Sequence, residues 1–171
     1  MASDAEATGC TAQGCHTVGM AELKERLRAD LTAAIKGREE LRSSTLRMAL
    51  TAVTNAEVAG KEARQLTDDQ VVDVLAAEAK KRREASDAYD KANRSDLADK
   101  ERTEARILAD YLPTPLSSDD IVALVTDAIQ RLGAAGDAKA MGKVMGALQA
   151  ATRGRADGGV VAAEVRRQLQ G

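Results

Sequence analysis

The chain has no Trp, no Phe and only two Tyr, at positions 89 and 111. An interior without large rings must be built from Leu, Val, Ile, Ala and Met. Such small aliphatic side chains suit closely packed helices, and Ala and Leu are strong helix formers. The same lack removes the aromatic platforms on which single-stranded bases stack. Proline is nearly absent too, with Pro113 and Pro115 alone, so little interrupts a helical reading. No apolar run approaches the roughly 18 residues of a membrane-spanning helix. The N-terminus lacks the charged start and apolar middle of a secretory signal. The expectation is a cytoplasmic protein with no membrane partner.

Cysteine and histidine are confined to the first 16 residues, as Cys10, Cys15 and His16. From about residue 20 onward the chain has neither, which excludes Cys–His and Ser–His–Asp catalysis there, along with ordinary zinc sites. Cys10, Cys15 and His16 are three soft ligands in a tail of small residues, without the supporting scaffold a zinc site needs. The GxxxxGK[ST] phosphate loop is missing, although GRADGG has a superficial likeness to one. No metal, cofactor or catalytic residue is expected.

What is present is 44% hydrophobic and 30% charged, with a formal net charge of −2. That composition is globular, not that of a disordered chain. No global charge draws it to nucleic acid, so any such attraction must be local.

Residues 1–19 have no apolar period and read as a disordered tail. Met20 opens the periodic part and is one candidate for the natural start; the other reading keeps the tail. Leu23, Leu27, Leu31 and Ile35 recur every four residues, predicting an amphipathic helix that Gly37 can end. A second helix is predicted from about Glu39 to Ala59, on Leu46, Leu50 and Val53. Thr67 and Gln70 have capping-box spacing ahead of Val71, Val74 and Leu75. This third helix can run to about Asn93, with Ala79, Ala85 and Tyr89 inward in a polar distal half that projects or packs on one narrow face. A fourth starts near Ser95 or Asp96, carries Leu97, Ile107, Leu108 and Tyr111, and stops at Pro113. Each proline disfavours helix in the residue before it, so 113–117 reads as a linker between domains at 20–112 and 118–171.

Beyond the linker, Ser117 or Ser118 can cap a helix holding Ile121, Val125 and Ile129. Gly133 to Gly136 forms a loop. Met141, Val144, Met145 and Leu148 mark a further helix, and Asp157 can cap a last one with Val160, Val161, Val165 and Leu169. The fold class is all-α: about four helices, then a three-helix unit of about 55 residues, large enough to fold alone.

Gly142 and Gly146 share a helix face, where each glycine costs roughly 1 kcal/mol against Ala. Close helix–helix packing is the plainer reason; approach of a partner backbone is the other. From Asp137 onward six basic residues face three acidic ones, a net +3 in a negative protein. Among them Lys139 and Lys143 share a face, and Arg153 and Arg155 sit in the glycine turn beside it, a candidate phosphate-binding surface. Ordinary solvated charge is the alternative. Lys80 to Arg83 is the densest basic run. Acids surround it, with Glu78 spaced to pair with Arg82, so it reads as a solvated helix. Glu101 and Glu104 lie among Lys100, Arg102 and Arg106, which favours ion pairs over acid–base work.

The stretches KKRREASDAY, NRSDLADKERTEARILADYLPTPLS and AMGKVMGALQAATRGRADGGVV resemble the GatB/YqeY family, over about residues 20–171. The resemblance implies an N-terminal helical domain and a C-terminal three-helix domain. The latter is similar to the tail domain of the GatB subunit of the tRNA-dependent amidotransferase, which contacts tRNA while the chemistry occurs elsewhere in that enzyme. Met141, Gly142, Lys143, Val144, Met145, Gly154, Arg155, Ala156, Asp157 and Gly158 carry the motif. Lys143 and Arg155 are then the candidates to meet a phosphate backbone; the glycines and Met141, Val144 and Met145 shape and pack the domain. The family label also carries carbon–nitrogen ligase activity with glutamine as amido-N-donor, for which these residues supply no catalytic centre. The expected function is a non-catalytic, tRNA-associated module of translation, using Lys139, Lys143, Arg153 and Arg155. An accessory partner of amidotransferase subunits or another tRNA-handling protein is one alternative, and a protein-interaction module without RNA is another.

Overall fold

The computed structural model of the protein describes residues 22–60 and 62–170; the tail, Cys10, Cys15, His16 and Met20 lie outside the described residues. Among those described there are seven α-helices, one short 3-10 helix and no strand. They are α1 Glu22–Lys36, α2 Glu40–Val58, α3 Asp68–Lys91, α4 Ser95–Ala109, α5 Ser118–Leu132, α6 Met141–Thr152 and α7 Gly158–Gln170. The 3-10 turn Ala138–Ala140 leads into α6.

Leu27 is fully buried in α1, and Leu23 and Leu31 pack partly covered against the core. The next inward position belongs to Ala34, 1% exposed, and not to the expected Ile35, 50% exposed. A strict four-residue repeat drifts about 40° per step around a helix of 3.6 residues per turn, so by Ile35 it has left the core face. The left-handed residue that ends α1 is Arg38, φ 56°, not Gly37. Behind it the Glu39 N–H donates to the Ala34 carbonyl at 2.9 Å.

The Thr67–Gln70 capping box starts α3, and Val71, Leu75 and Ala79 form its buried face. The polar distal half does not project alone, because α4 returns along it. Small buried residues, Ala79, Ser86, Ala98 and Ala105, line these two helices; Ala85 and Tyr89 are only partly covered. Arg82 turns away from Glu78 toward α4, where its Nε lies 2.8 Å from Glu104 and 3.7 Å from Glu101. Glu78 instead takes Lys81, at 2.6 Å. Glu104 is 3% exposed, so the expected surface pair is a buried one joining two helices.

At the end of α4, Tyr111 is nearly buried and its hydroxyl donates to Asp30 Oδ2 at 2.6 Å. The Arg26 guanidinium lies 5.0 Å over its ring. Burial, then the hydrogen bond to the Asp30 carboxylate, pushes the phenol pKa up to about 12.

Two hydrophobic clusters result. One joins α1–α4 through Leu27, Leu46, Val53, Leu75 and Leu108. The other joins α5–α7 through Val125, Val144, Leu148, Val161 and Val165. Pro113–Pro115 lies between them in sequence. No helix of the first set packs directly on a helix of the second. Ser117 caps α5 in a box with Asp120, and Gly133, φ 59°, ends it.

Candidate functional site

The residues singled out from sequence divide into two groups, one facing outward from α6 and one folded into a turn against α3.

On α6, Val144 and Leu148 are buried, and Met141 and Met145 pack partly covered against the same cluster. This fixes the opposite face, where Gly142, Lys143, Gly146, Ala147, Gln149 and Ala150 are all exposed. A Cβ built on Gly142 or Gly146 meets nothing within 4 Å. The close helix–helix packing suggested by their spacing therefore does not occur within the described chain; the two glycines bare the helix backbone, Gly146 at the edge of a cleft that separates α6 from α3. Lys143 rises from this bare strip. Lys139 precedes it in the 3-10 turn, whose start is held by the Lys139 N–H donating to Asp137 Oδ1 at 2.9 Å. Among the described residues neither lysine side chain makes an ion pair.

The turn after α6 is occupied differently. Arg153 reaches α3, with Nη1 2.6 Å from Asp69 and Nε 3.2 Å from Asp73. Gly154 has φ +65°, and a Cβ there would sit 2.4 Å from Val72 Cγ1 and 3.1 Å from Pro113 Cδ. Glycine is thus required twice over, by conformation and by space. Arg155 donates from Nε to the Thr114 carbonyl at 3.0 Å, and its own carbonyl accepts from the Leu116 N–H at 2.8 Å. Asp157 caps α7 by accepting from the Gly159 N–H at 2.8 Å. It also meets Lys80 Nζ at 2.8 Å. Lys80, followed by that N–H, holds the Asp157 carboxyl below the usual carboxylate range, and Asp157 raises Lys80 in return. Ala156 packs on the C-terminal cluster, while a Cβ on Gly158 would meet open space.

The four expected cations are therefore not one surface. Lys139 and Lys143 face outward; Arg153 and Arg155 are engaged, the first with another helix and the second with the linker. Sequence reasoning missed the partners Asp69, Asp73 and Lys80. Their spacings of four and seven place them on one stripe of α3, away from Val71 and Leu75, a signal that could have marked a second contact face. Clefts flank the turn on both sides. The larger, about 870 Å³, has an apolar floor including Leu112, Pro115 and Val160. The smaller, about 440 Å³, runs between Ala76 and Asp73 of α3 and Met145 and Gly146 of α6.

No group of three or more His, Cys, Asp or Glu side chains among the described residues is placed to hold a metal ion. Nor is any described helix long and apolar enough to cross a membrane.

Residues 24–169 match the model of the family described as Yqey-like protein. An uncharacterised protein of Schizosaccharomyces pombe is 34% identical over 97 residues, covering 56% of this chain and 76% of its own. The protein of Kluyveromyces lactis called altered inheritance of mitochondria protein 41, mitochondrial, is 30% identical over 115 residues. That match spans 64% of this chain but only 60% of the Kluyveromyces protein.

Proposed function

The chain belongs to the YqeY-like protein family, and we propose that it is a non-catalytic docking module for folded RNA of the transfer-RNA class, engaged through Lys139 of the 3-10 turn and Lys143 on the exposed face of α6. One observation carries this reading. Among the described residues two ammonium groups, Lys139 and Lys143, make no ion pair, and nothing lies within 4 Å of where a Cβ would stand on Gly142 or Gly146. A sugar–phosphate backbone can then approach the helix backbone closely while the lysines meet its charge. With no Trp or Phe for base stacking, contact is to backbone and shape, which suits folded RNA.

The number of cations sets the strength. With Arg153 and Arg155 engaged, two phosphate contacts remain, so binding weakens with salt at a slope of roughly −2 in log–log form. Affinity is then in the weak, non-specific range, Kd of roughly 10⁻⁴ to 10⁻⁶ M. Such weak binding fits an accessory that lends RNA affinity to a tRNA-dependent amidotransferase or another tRNA-handling protein in the cytoplasm. The name of the Kluyveromyces relative raises mitochondria as the alternative compartment. Carbon–nitrogen ligase activity would belong to the partner enzyme.

Titration of labelled bulk tRNA, at low and moderate salt, tests this beside a Lys139→Glu/Lys143→Glu variant. Saturable binding with a shallow salt slope, lost in the variant, is expected. Equal binding by both proteins overturns the assignment to α6. A second reading, docking of a partner helix without RNA, is favoured by a different observation: of the six outward residues of α6 only Lys143 is charged. Negligible tRNA binding at low salt by both proteins would leave that reading in place.

A further inference from the structure

The two halves of the protein meet without any helix of one packing on a helix of the other. What joins them is side-chain chemistry around one short turn. Arg153 lies 2.6 Å from Asp69 and 3.2 Å from Asp73. Lys80 lies 2.8 Å from Asp157. Between these pairs Val72 sits against Gly154, where no side chain fits. All four α3 residues fall on one outer stripe of that helix.

From this arrangement we propose that residues 153–157 form an ionic latch, which holds the C-terminal bundle on α3 and keeps Arg153 from any anionic partner. Asp69 accepts from Nη1 and Asp73 stands as a second charge beside Nε, so two carboxylates face the guanidinium where a phosphate would. The latch is built to release. The carboxylate side chains of Asp69 and Asp73 are 74% and 53% exposed, and such exposed pairs are individually weak and screened by salt. Each half keeps its own buried cluster when they separate. An RNA backbone competing for Arg153 opens the latch and gains a third cation beside Lys139 and Lys143. That last consequence rests on the RNA reading above; the latch itself does not.

The test separates the two. Spin labels on Thr51→Cys and Ala147→Cys, both exposed, in a Cys10→Ser/Cys15→Ser background report the distance between the halves. Wild type at low salt should give one narrow distribution. It should broaden and lengthen in about 1 M salt, where the Debye length is about 3 Å, and in Asp69→Asn/Asp73→Asn. Circular dichroism of each sample verifies that the helices remain. A distribution unmoved by both salt and substitution overturns the latch. In the second arm, Asp69→Asn/Asp73→Asn should bind tRNA several-fold more tightly than Asp87→Asn/Asp119→Asn, which changes charge equally at exposed positions that hold no ion pair among the described residues. Equal affinities overturn the competition between RNA and α3. Absence of binding by every variant sinks the RNA reading instead, and the distance measurement then decides the latch by itself.

Discussion

Replacing glycine by alanine should move the stability of this protein in opposite directions at different glycines of the C-terminal motif. At Gly154 the new methyl lies 2.4 Å from Val72 Cγ1, well inside van der Waals contact, on a residue with φ +65°. The left-handed backbone costs roughly 1–2 kcal/mol for an L residue. Forcing a methyl into filled space adds about 1–3 kcal/mol. Gly154→Ala should therefore lose roughly 2–5 kcal/mol. At Gly142 and Gly146 the methyl meets nothing within 4 Å, and the backbone is helical. Alanine there removes the glycine penalty and should gain roughly 1–2 kcal/mol for the pair, less than two full increments because Gly142 is in the first turn. Urea denaturation followed by helical ellipticity reads all of these as shifts in midpoint at constant slope. Two controls divide the Gly154 effect. Gly133→Ala shares the positive φ, 59°, with open space around it, so it should lose only the backbone part. Val72→Ala combined with Gly154→Ala removes the struck atom and should recover part of the loss. A Gly154→Ala variant no less stable than Gly133→Ala, or a destabilised Gly142→Ala/Gly146→Ala, would refute this division. On the proposed function, the stabilised double variant should bind tRNA less well, because it fills the face proposed to meet the phosphate backbone.

Two further outcomes follow from the N-terminal half. Arg82→Ala should cost about 1–3 kcal/mol, since it leaves the buried Glu104 carboxylate with only the more distant Lys100, 3.9 Å away, as a cation partner, while Lys81→Ala, whose ammonium end is largely exposed, should cost under about 0.5 kcal/mol in the same urea assay. Tyr111, with its phenol raised to about 12, keeps its proton longer when folded than the ordinary value near 10 allows unfolded. Its contribution is thus complete below about pH 10 and lost as pH rises toward 12, by up to about 3 kcal/mol. Wild type should lose more stability than Tyr111→Phe across that window; parallel curves would show that the buried hydroxyl is not what titrates.

Much of this protein was legible from local spacing. A composition of small aliphatics with two prolines led to an all-helical chain. The Thr67–Gln70 box and the Asp157 cap stand where short-range rules put them, and of the two candidates Ser117 and Ser118 the first caps α5, because a cap is satisfied by backbone groups two or three residues away. Spacing misled where a repeat ran slightly out of phase, as at Ile35 and Ala34.

Pairing across the fold was not legible in the same way. Arg82 had a partner at the right spacing in Glu78, yet it took Glu104, because α4 returns along α3 and buries that carboxylate. Arg153 and Arg155, in the glycine turn, read in sequence as one cationic surface with Lys139 and Lys143. Only the tertiary structure separates them, since Arg153 finds Asp69 from 84 residues away. The glycines followed the same division. Helical periodicity by itself requires that Gly142 and Gly146 share a face. Whether that face meets another helix or the outside depends on how α5, α6 and α7 pack around Val144 and Leu148. Periodicity determines which residues stand together on a helix; what stands opposite them is decided by long-range packing, which no local spacing encodes.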